Sequence, residues 1–228
     1  MEKIVIHPIA RIRSDFATKF GIPRQSGLAQ SLRSTIIFEP EFRNADALRG
    51  IDGFSHLWLI WHFSEAVRTQ WSPTVRPPRL GGNTRMGVFA TRSPFRPNNL
   101  GLSCVTLLGV EETEEFGTVI HVGGADLMDG TPIFDIKPYI PYADCQTEAT
   151  GGFTDHAGDF LLQVNFPESL LNILPASKQV AAIEVLSHDP RPSYQHKPGR
   201  IYGLNFAGFD IRFTVEESAL TVVDVVTL

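Results

Sequence analysis

The run Arg85-Met86-Gly87-Val88-Phe89-Ala90-Thr91-Arg92-Ser93-Pro94-Phe95-Arg96-Pro97-Asn98-Asn99-Leu100-Gly101-Leu102-Ser103 decides how the rest of the chain is read. It opens like a buried strand, with Met86, Val88, Phe89 and Ala90, and closes into another at Leu102, Cys104, Val105 and Leu107. The middle is therefore a loop pinned between two walls. Pro94 and Pro97 fix φ and push Ser93 and Arg96 toward extended backbone. Thr91, Arg92, Ser93, Arg96, Asn98 and Asn99 are thus presented by a chain with little entropy left to lose on binding, as a site for a polar ligand requires.

Outward from this loop, short apolar stretches alternate with turn signals. Residues 4–12, 35–38, 54–63, 104–110, 118–122 and 133–140 are predicted as strands from their branched and aromatic content. Pro138 predicts that the last of these is an edge. Residues 54–63 are apolar on both faces, like a wall covered on each side. The only helical signal in this part is the single turn 44–50, ended by Gly50. Such a pattern predicts an all-β barrel or sandwich. Residues 71–82 are irregular, and Pro77-Pro78 favours polyproline II there, which would turn Arg76 and Arg79 to one side.

A small, polar stretch at 147–158, with Gly151, Gly152 and Gly158, reads as a linker. It divides a β domain over 1–146 from a small α+β domain over 159–228. In the latter, strands are predicted at 160–166, 201–206, 209–215 and 220–226. A helix is predicted at 177–186, capped by Ser177 and stopped by Pro190.

With 43% hydrophobic and 20% charged residues over 228 positions, the chain can bury a real core. No apolar run is long enough to span a bilayer, and Met1-Glu2-Lys3 leads straight into a strand-like segment, so a soluble, cytoplasmic protein is expected. Cys104 reads as core, and neither it nor Cys145 has zinc-ligand spacing. His56 and His62 share a strand face, but without a third ligand at a suggestive spacing they read as structural, and no metal is expected. Charge is segregated: residues 1–100 carry 14 Lys and Arg against 7 Asp and Glu, residues 101–228 carry 6 against 18. A basic half suits an RNA partner, and chance segregation of surface charge accounts for it equally. There is no Gly-rich dinucleotide turn, no βαβ alternation and no nucleophile elbow, which disfavours a doubly wound methyltransferase and a hydrolase.

The signature run resembles that of the TrmO family, the TsaA-like or VirR-like proteins. Ile9-Ala10-Arg11-Ile12-Arg13-Ser14, Gly21-Ile22-Pro23-Arg24-Gln25, Phe54-Ser55-His56-Leu57-Trp58 and Arg76-Pro77-Pro78-Arg79-Leu80-Gly81-Gly82 also resemble family blocks. So do Asp126-Leu127-Met128-Asp129-Gly130-Thr131-Pro132, Asp135-Ile136-Lys137-Pro138-Tyr139 and Asp189-Pro190-Arg191-Pro192-Ser193-Tyr194. Ala10, Asp15 and Asn99 depart from the Gly, Pro and Pro usual in the family, the last loosening the loop. The resemblance implies an antiparallel-rich β-barrel that binds S-adenosyl-L-methionine, followed by the small α+β domain as an aid to tRNA binding.

The implied reaction is transfer of methyl to N6 of N6-threonylcarbamoyladenosine at tRNA position 37, beside the anticodon, by a homodimer with its pocket near the interface. A non-catalytic RNA-binding or S-adenosylmethionine-sensing barrel is the alternative. Pro23, Arg24, Gln25, Arg92, Leu102 and the run Asp126, Leu127, Met128 and Asp129 match the family's cofactor pocket, and Ser64 and Glu65 follow the strand that also contributes to it. Read alone, Asp126 and Asp129 are turn residues before Gly130. Asp189 is expected as acceptor for the target amine's proton and Tyr194 as a stacking ring, although a helix stop and packing explain both equally well. Arg11, Arg13, Arg76, Arg79, Arg96, Asn98 and Arg191 are expected to face the RNA or the carboxylate of the modified base.

Overall fold

The computed structural model describes residues 4–67, 70–155, 161–191 and 199–228. Its first half contains β1 (Ala10–Arg13), β2 (Arg33–Phe38), β3 (His56–His62), a two-stranded ribbon of β4 (Thr74–Val75) and β5 (Met86–Gly87), β6 (Leu100–Thr113), β7 (Gly117–Gly123) and β8 (Pro132–Pro138). Six of these close into an antiparallel barrel in the order β1-β2-β7-β6-β3-β8. Pairs Ala10↔Ile133 and Arg11↔Pro132 complete the ring.

The strand period explains which side chains fill the barrel. Along β3, Leu57, Leu59 and Trp61 point inward and are buried, whereas His56, Trp58, Ile60 and His62 face outward, half covered. Ile12, Ile36, Val105, Ile120, Val122, Leu127 and Ile133 meet them in one core.

Several expectations are corrected here. The first strand begins at Ala10, not residue 4, because its partner β2 ends at Phe38 and the chain turns into a 3-10 helix at Pro40–Phe42. Ile4 and Val5 are exposed. The strand carrying Pro138 is no edge: β8 pairs with both β1 and β3, and Pro138 is its last residue, where a missing N–H costs least. Cys104 is not core, since its neighbours Ser103 and Val105 take the inward positions. The run at Met86 is no buried strand either. Only two residues pair, then Val88–Ala90 turns as a 3-10 helix with Val88 buried and Phe89 exposed. The polyproline stretch likewise breaks into a 3-10 helix at Pro78–Leu80.

The second half contains α1 (Pro141–Asp144), β9 (Gln163–Asn165), α2 (Glu168–Leu171), α3 (Ala176–Ser187), β10 (Tyr202–Phe206), β11 (Phe209–Glu216) and β12 (Ala219–Thr227). Its sheet runs β10-β11-β12-β9, with β9 parallel to β12 and the rest antiparallel. α3 buries Ala181, Ala182, Val185 and Leu186, one stripe at helical spacing. Ser177 is not its cap: Pro175 occupies that position without a side-chain bond, and Ser177 lies inside the first turn. The helix ends at Ser187, and Asp189 takes a left-handed φ of 49° before Pro190.

The two halves share residues. Between β1 and β2, residues 14–32 leave the barrel and lodge Phe16, Ala29 and Leu32 in the core of the second sheet, with Phe16 edge-on to Phe206 at 5.5 Å. Both ends of this excursion are tied down. Lys178 donates to both Asp15 oxygens at 2.7 Å, and the Ala207 N–H donates to the Asp15 carbonyl. The Ser31 N–H and hydroxyl each reach Glu184 at 2.8 Å, and His188 Nε2 lies 2.9 Å from the Leu28 carbonyl. Gly21, at φ 84°, sits so close that a Cβ would lie 2.1 Å from Leu204 Cδ1. Among the described residues no helix is long and apolar enough to cross a membrane.

Candidate functional site

With its ends fixed, the excursion turns Ile22 to Gln25 toward the barrel, where a cavity of about 610 Å³ opens. That size is ordinary for a small-molecule site, about 300–1,000 Å³. Four separate segments line it: the excursion, β3 with Phe63 to Ala66, the signature loop running into the start of β6, and the turn after β7.

The loop is rigid for more reasons than its prolines. The Thr91 hydroxyl donates to the Val88 carbonyl at 2.9 Å and accepts from the Ser93 N–H, and the Ser93 hydroxyl accepts from the Phe95 N–H. Arg96 donates to the Thr91 and Val88 carbonyls at 2.6 and 3.3 Å. Asn99 does not loosen the loop as expected; its amide donates to the Pro94 carbonyl at 2.7 Å and closes it.

At the barrel rim Trp61 lies over Gly101, where there is no Cβ to oppose it. Its Nε1 donates to the Ser103 hydroxyl at 2.9 Å, and that hydroxyl donates to Asp126 Oδ1 at 2.6 Å. Burial pushes the Asp126 carboxyl up from its ordinary range, while the Ser103 bond, backbone N–H groups and the charge of Arg92 pull it back. Arg92 itself is exposed and donates to Gln25 Oε1. The cavity therefore offers the half-buried Asp126 carboxylate and the exposed guanidinium groups of Arg24 and Arg92, with Pro23, Phe63 and Leu102 as apolar wall.

Of the residues singled out in the sequence, Pro23, Arg24, Gln25, Ser64, Glu65, Arg92, Arg96, Leu102, Asp126 and Met128 line this cavity. Leu127 does not; the turn points it into the barrel core with no exposure. Asp129 faces the other way, accepting from the Ser14 N–H at 3.0 Å and lining a smaller cavity of about 160 Å³ with Arg11 and Arg13. Arg11 is engaged by Glu39 and the Gly130 carbonyl, and Arg13 lies over Phe116. Arg76 and Asn98 are exposed outside the cavity.

Asp189 and Arg191 bind each other through two side-chain bonds of 2.8 and 2.9 Å, with Arg191 buried; neither lines the cavity. Tyr194 and the Arg79 side chain lie outside the described residues. Sequence reasoning missed Trp58, Trp61, Phe63 and Ser103. The alternation of Gly101 and Ser103 on one face, opposite a tryptophan, was the available signal. Among the described residues no three His, Cys, Asp or Glu side chains are grouped to hold a metal ion.

Residues 11–145 match the model of the tRNA-methyltransferase O N-terminal domain, and residues 160–228 match the TrmO C-terminal domain. The tRNA (adenine(37)-N6)-methyltransferase of Escherichia coli is 39% identical over 230 residues, covering 97% of each chain. A Pseudomonas aeruginosa protein provisionally named S-adenosylmethionine-dependent methyltransferase RcsF is 41% identical, over 91% of each chain. A crystal structure of TrmO from Pseudomonas aeruginosa superposes with a TM-score of 0.80 at 33% identity, covering 99% of both chains. With its barrel, its second sheet and almost every residue between them matched in order, the chain belongs to the TrmO family.

Proposed function

We infer that the chain is an S-adenosylmethionine-dependent tRNA methyltransferase that methylates N6 of adenine 37. The observation that carries this reading is the convergence of four distant segments, each holding a family block or its flank, on one cavity with a half-buried carboxylate and accessible guanidinium groups. The full-length relative from Escherichia coli, named for this reaction, supports it.

The donor set fits the cofactor. Asp126 suits its ammonium, Arg92 its carboxylate, and Pro23, Phe63 and Leu102 its flat base. Bound there, S-adenosylmethionine supplies a methyl group on a sulfonium that leaves readily. What the chain must add is alignment and a dry surface, and the closed loop and the Trp61–Ser103–Asp126 bonds serve both. We take the acceptor to be N6-threonylcarbamoyladenosine in the anticodon loop, with Asp189 as the group that accepts its proton. For Asp189 to accept a proton, its pairing with Arg191 must open. The reading includes the cytoplasm as compartment and a homodimer. Leu102, Leu108 and Val110, exposed along the outer face of β6, support association of two copies, which sedimentation would measure.

The test is transfer of labelled methyl from S-adenosylmethionine to tRNA with and without threonylcarbamoyladenosine. Incorporation into modified tRNA alone, lost in Arg92→Ala, supports the reading. Cofactor binding without transfer to either tRNA leaves a sensor in its place.

A further inference from the structure

The ring of Phe89 stands where an apolar run predicts a buried side chain, yet the residue is 70% exposed. Its direction is imposed. Val88 beside it is buried, bonded from its N–H to the Pro73 carbonyl, and its own carbonyl accepts from both Thr91 and Arg96. This 3-10 turn leaves Phe89 nowhere to go but outward. Trp71, 52% exposed, lies next to it with ring centres 6.2 Å apart and planes at 31°, and the Arg96 guanidinium lies 5.8 Å from the Phe89 ring centre.

Charge on this stretch is one-sided. Between Glu65 and Glu111 the sequence holds six arginines and no acidic residue. Arg96 and Thr91 also line the large cavity, so the Phe89 ring, over which Arg96 lies, stands beside that cavity with Trp71 against it. Paired exposed rings in a purely cationic stretch suit a flat ligand on an anionic chain, which is an unpaired nucleobase.

We propose that Phe89 and Trp71 form a stacking platform for an unpaired nucleobase of the RNA substrate, next to the nucleotide that enters the cavity. This rests on the reading of the protein as a tRNA methyltransferase.

The experiment uses the full chain with Phe89→Ala, Phe89→Trp and Trp71→Ala. Each is assayed on tRNA and on an anticodon stem-loop RNA carrying 2-aminopurine on either side of the target. Wild type quenches the fluorophore at one flanking position. Phe89→Ala is expected to raise the KM for tRNA about ten-fold and abolish the quench, with kcat and cofactor affinity within about two-fold of wild type. Phe89→Trp restores both. Unchanged KM and quench in Phe89→Ala and Trp71→Ala overturn the platform while the functional reading stands. A dimer that becomes monomeric shows instead that a second copy covers these rings, and lost cofactor affinity assigns them to the cavity. If wild type neither binds nor methylates tRNA, both readings fall.

Discussion

Gly101→Ala is expected to damage stability and cofactor binding together, because of how Trp61 is held. An alanine Cβ there would lie 2.3 Å from Trp61 Cε2, 2.5 Å from Cζ2 and 2.6 Å from Cδ2. Ordinary contact needs more than a further ångström, and the indole cannot supply it freely. It is packed on Phe63 at 4.2 Å between ring centres and bonded to Ser103 at 2.9 Å. Displacing it costs about 1–3 kcal/mol of overpacking and about 0.5–1.5 kcal/mol for the lost hydrogen bond. Replacing a strand glycine returns about 0.5–1 kcal/mol, so the net loss is about 2 kcal/mol. Since Ser103 then holds Asp126 without support from Trp61, cofactor affinity should fall about five- to ten-fold. Urea unfolding followed by circular dichroism and cofactor calorimetry measure both. Adding Trp61→Phe, which removes the fused ring that the methyl meets, should recover at least part of the stability. A Gly101→Ala protein within about 0.5 kcal/mol of wild type, or a double mutant whose losses simply add, would refute the reasoning.

Asp126→Asn should flatten part of the dependence of stability on pH. The native carboxyl binds its proton more tightly than the unfolded one, so stability contributed by the protonated form is present in acid. It is lost as pH rises from the ordinary carboxylate pKa, about 3.9, through the raised native value. The same variant should lose affinity for the cofactor's ammonium at neutral pH, measured by calorimetry. Lys178→Met leaves Asp15 partly buried and unpaired, so a loss of about 2 kcal/mol is expected, discounted for the exposure of Lys178. Its informative readout is a weaker cofactor affinity at unchanged kcat, because Lys178 acts through the loop carrying Pro23 to Gln25. Asn99→Ala should cost about 1 kcal/mol and speed tryptic cleavage after Arg92.

What the sequence disclosed and what it hid divide along local and long-range lines. Short apolar runs between turn signals made the mainly β first half legible, and the loop 85–103 was legible as a rigid segment because its prolines act on their own neighbours. Phe89 was misread because an apolar run says nothing of the turn that ends it. Pro138 was misread because a closed ring has no edge, and closure is a property of all six strands at once. The Trp61–Gly101 pairing depends on register across forty residues, which no local pattern encodes. Two departures from the family pattern carry contacts: Asp15 binds Lys178, and Asn99 binds the Pro94 carbonyl. Lys178 lies far along the chain from Asp15, whereas Pro94 lies in the same loop as Asn99, and family pattern alone shows neither contact. Leu127 and Asp129 were grouped with Asp126 because the whole run resembles a family block, and the turn sends the three in different directions.

The most direct test of the central claim is to locate the methyl group. Threonylcarbamoylated and unmodified tRNA are incubated with the protein and S-adenosylmethionine, then digested and read by nucleoside mass spectrometry. The account predicts one added methyl, on N6 of the threonylcarbamoylated adenosine beside the anticodon, and none with Arg92→Ala. A methyl on any other nucleotide, or none at all while the cofactor is bound, would contradict it.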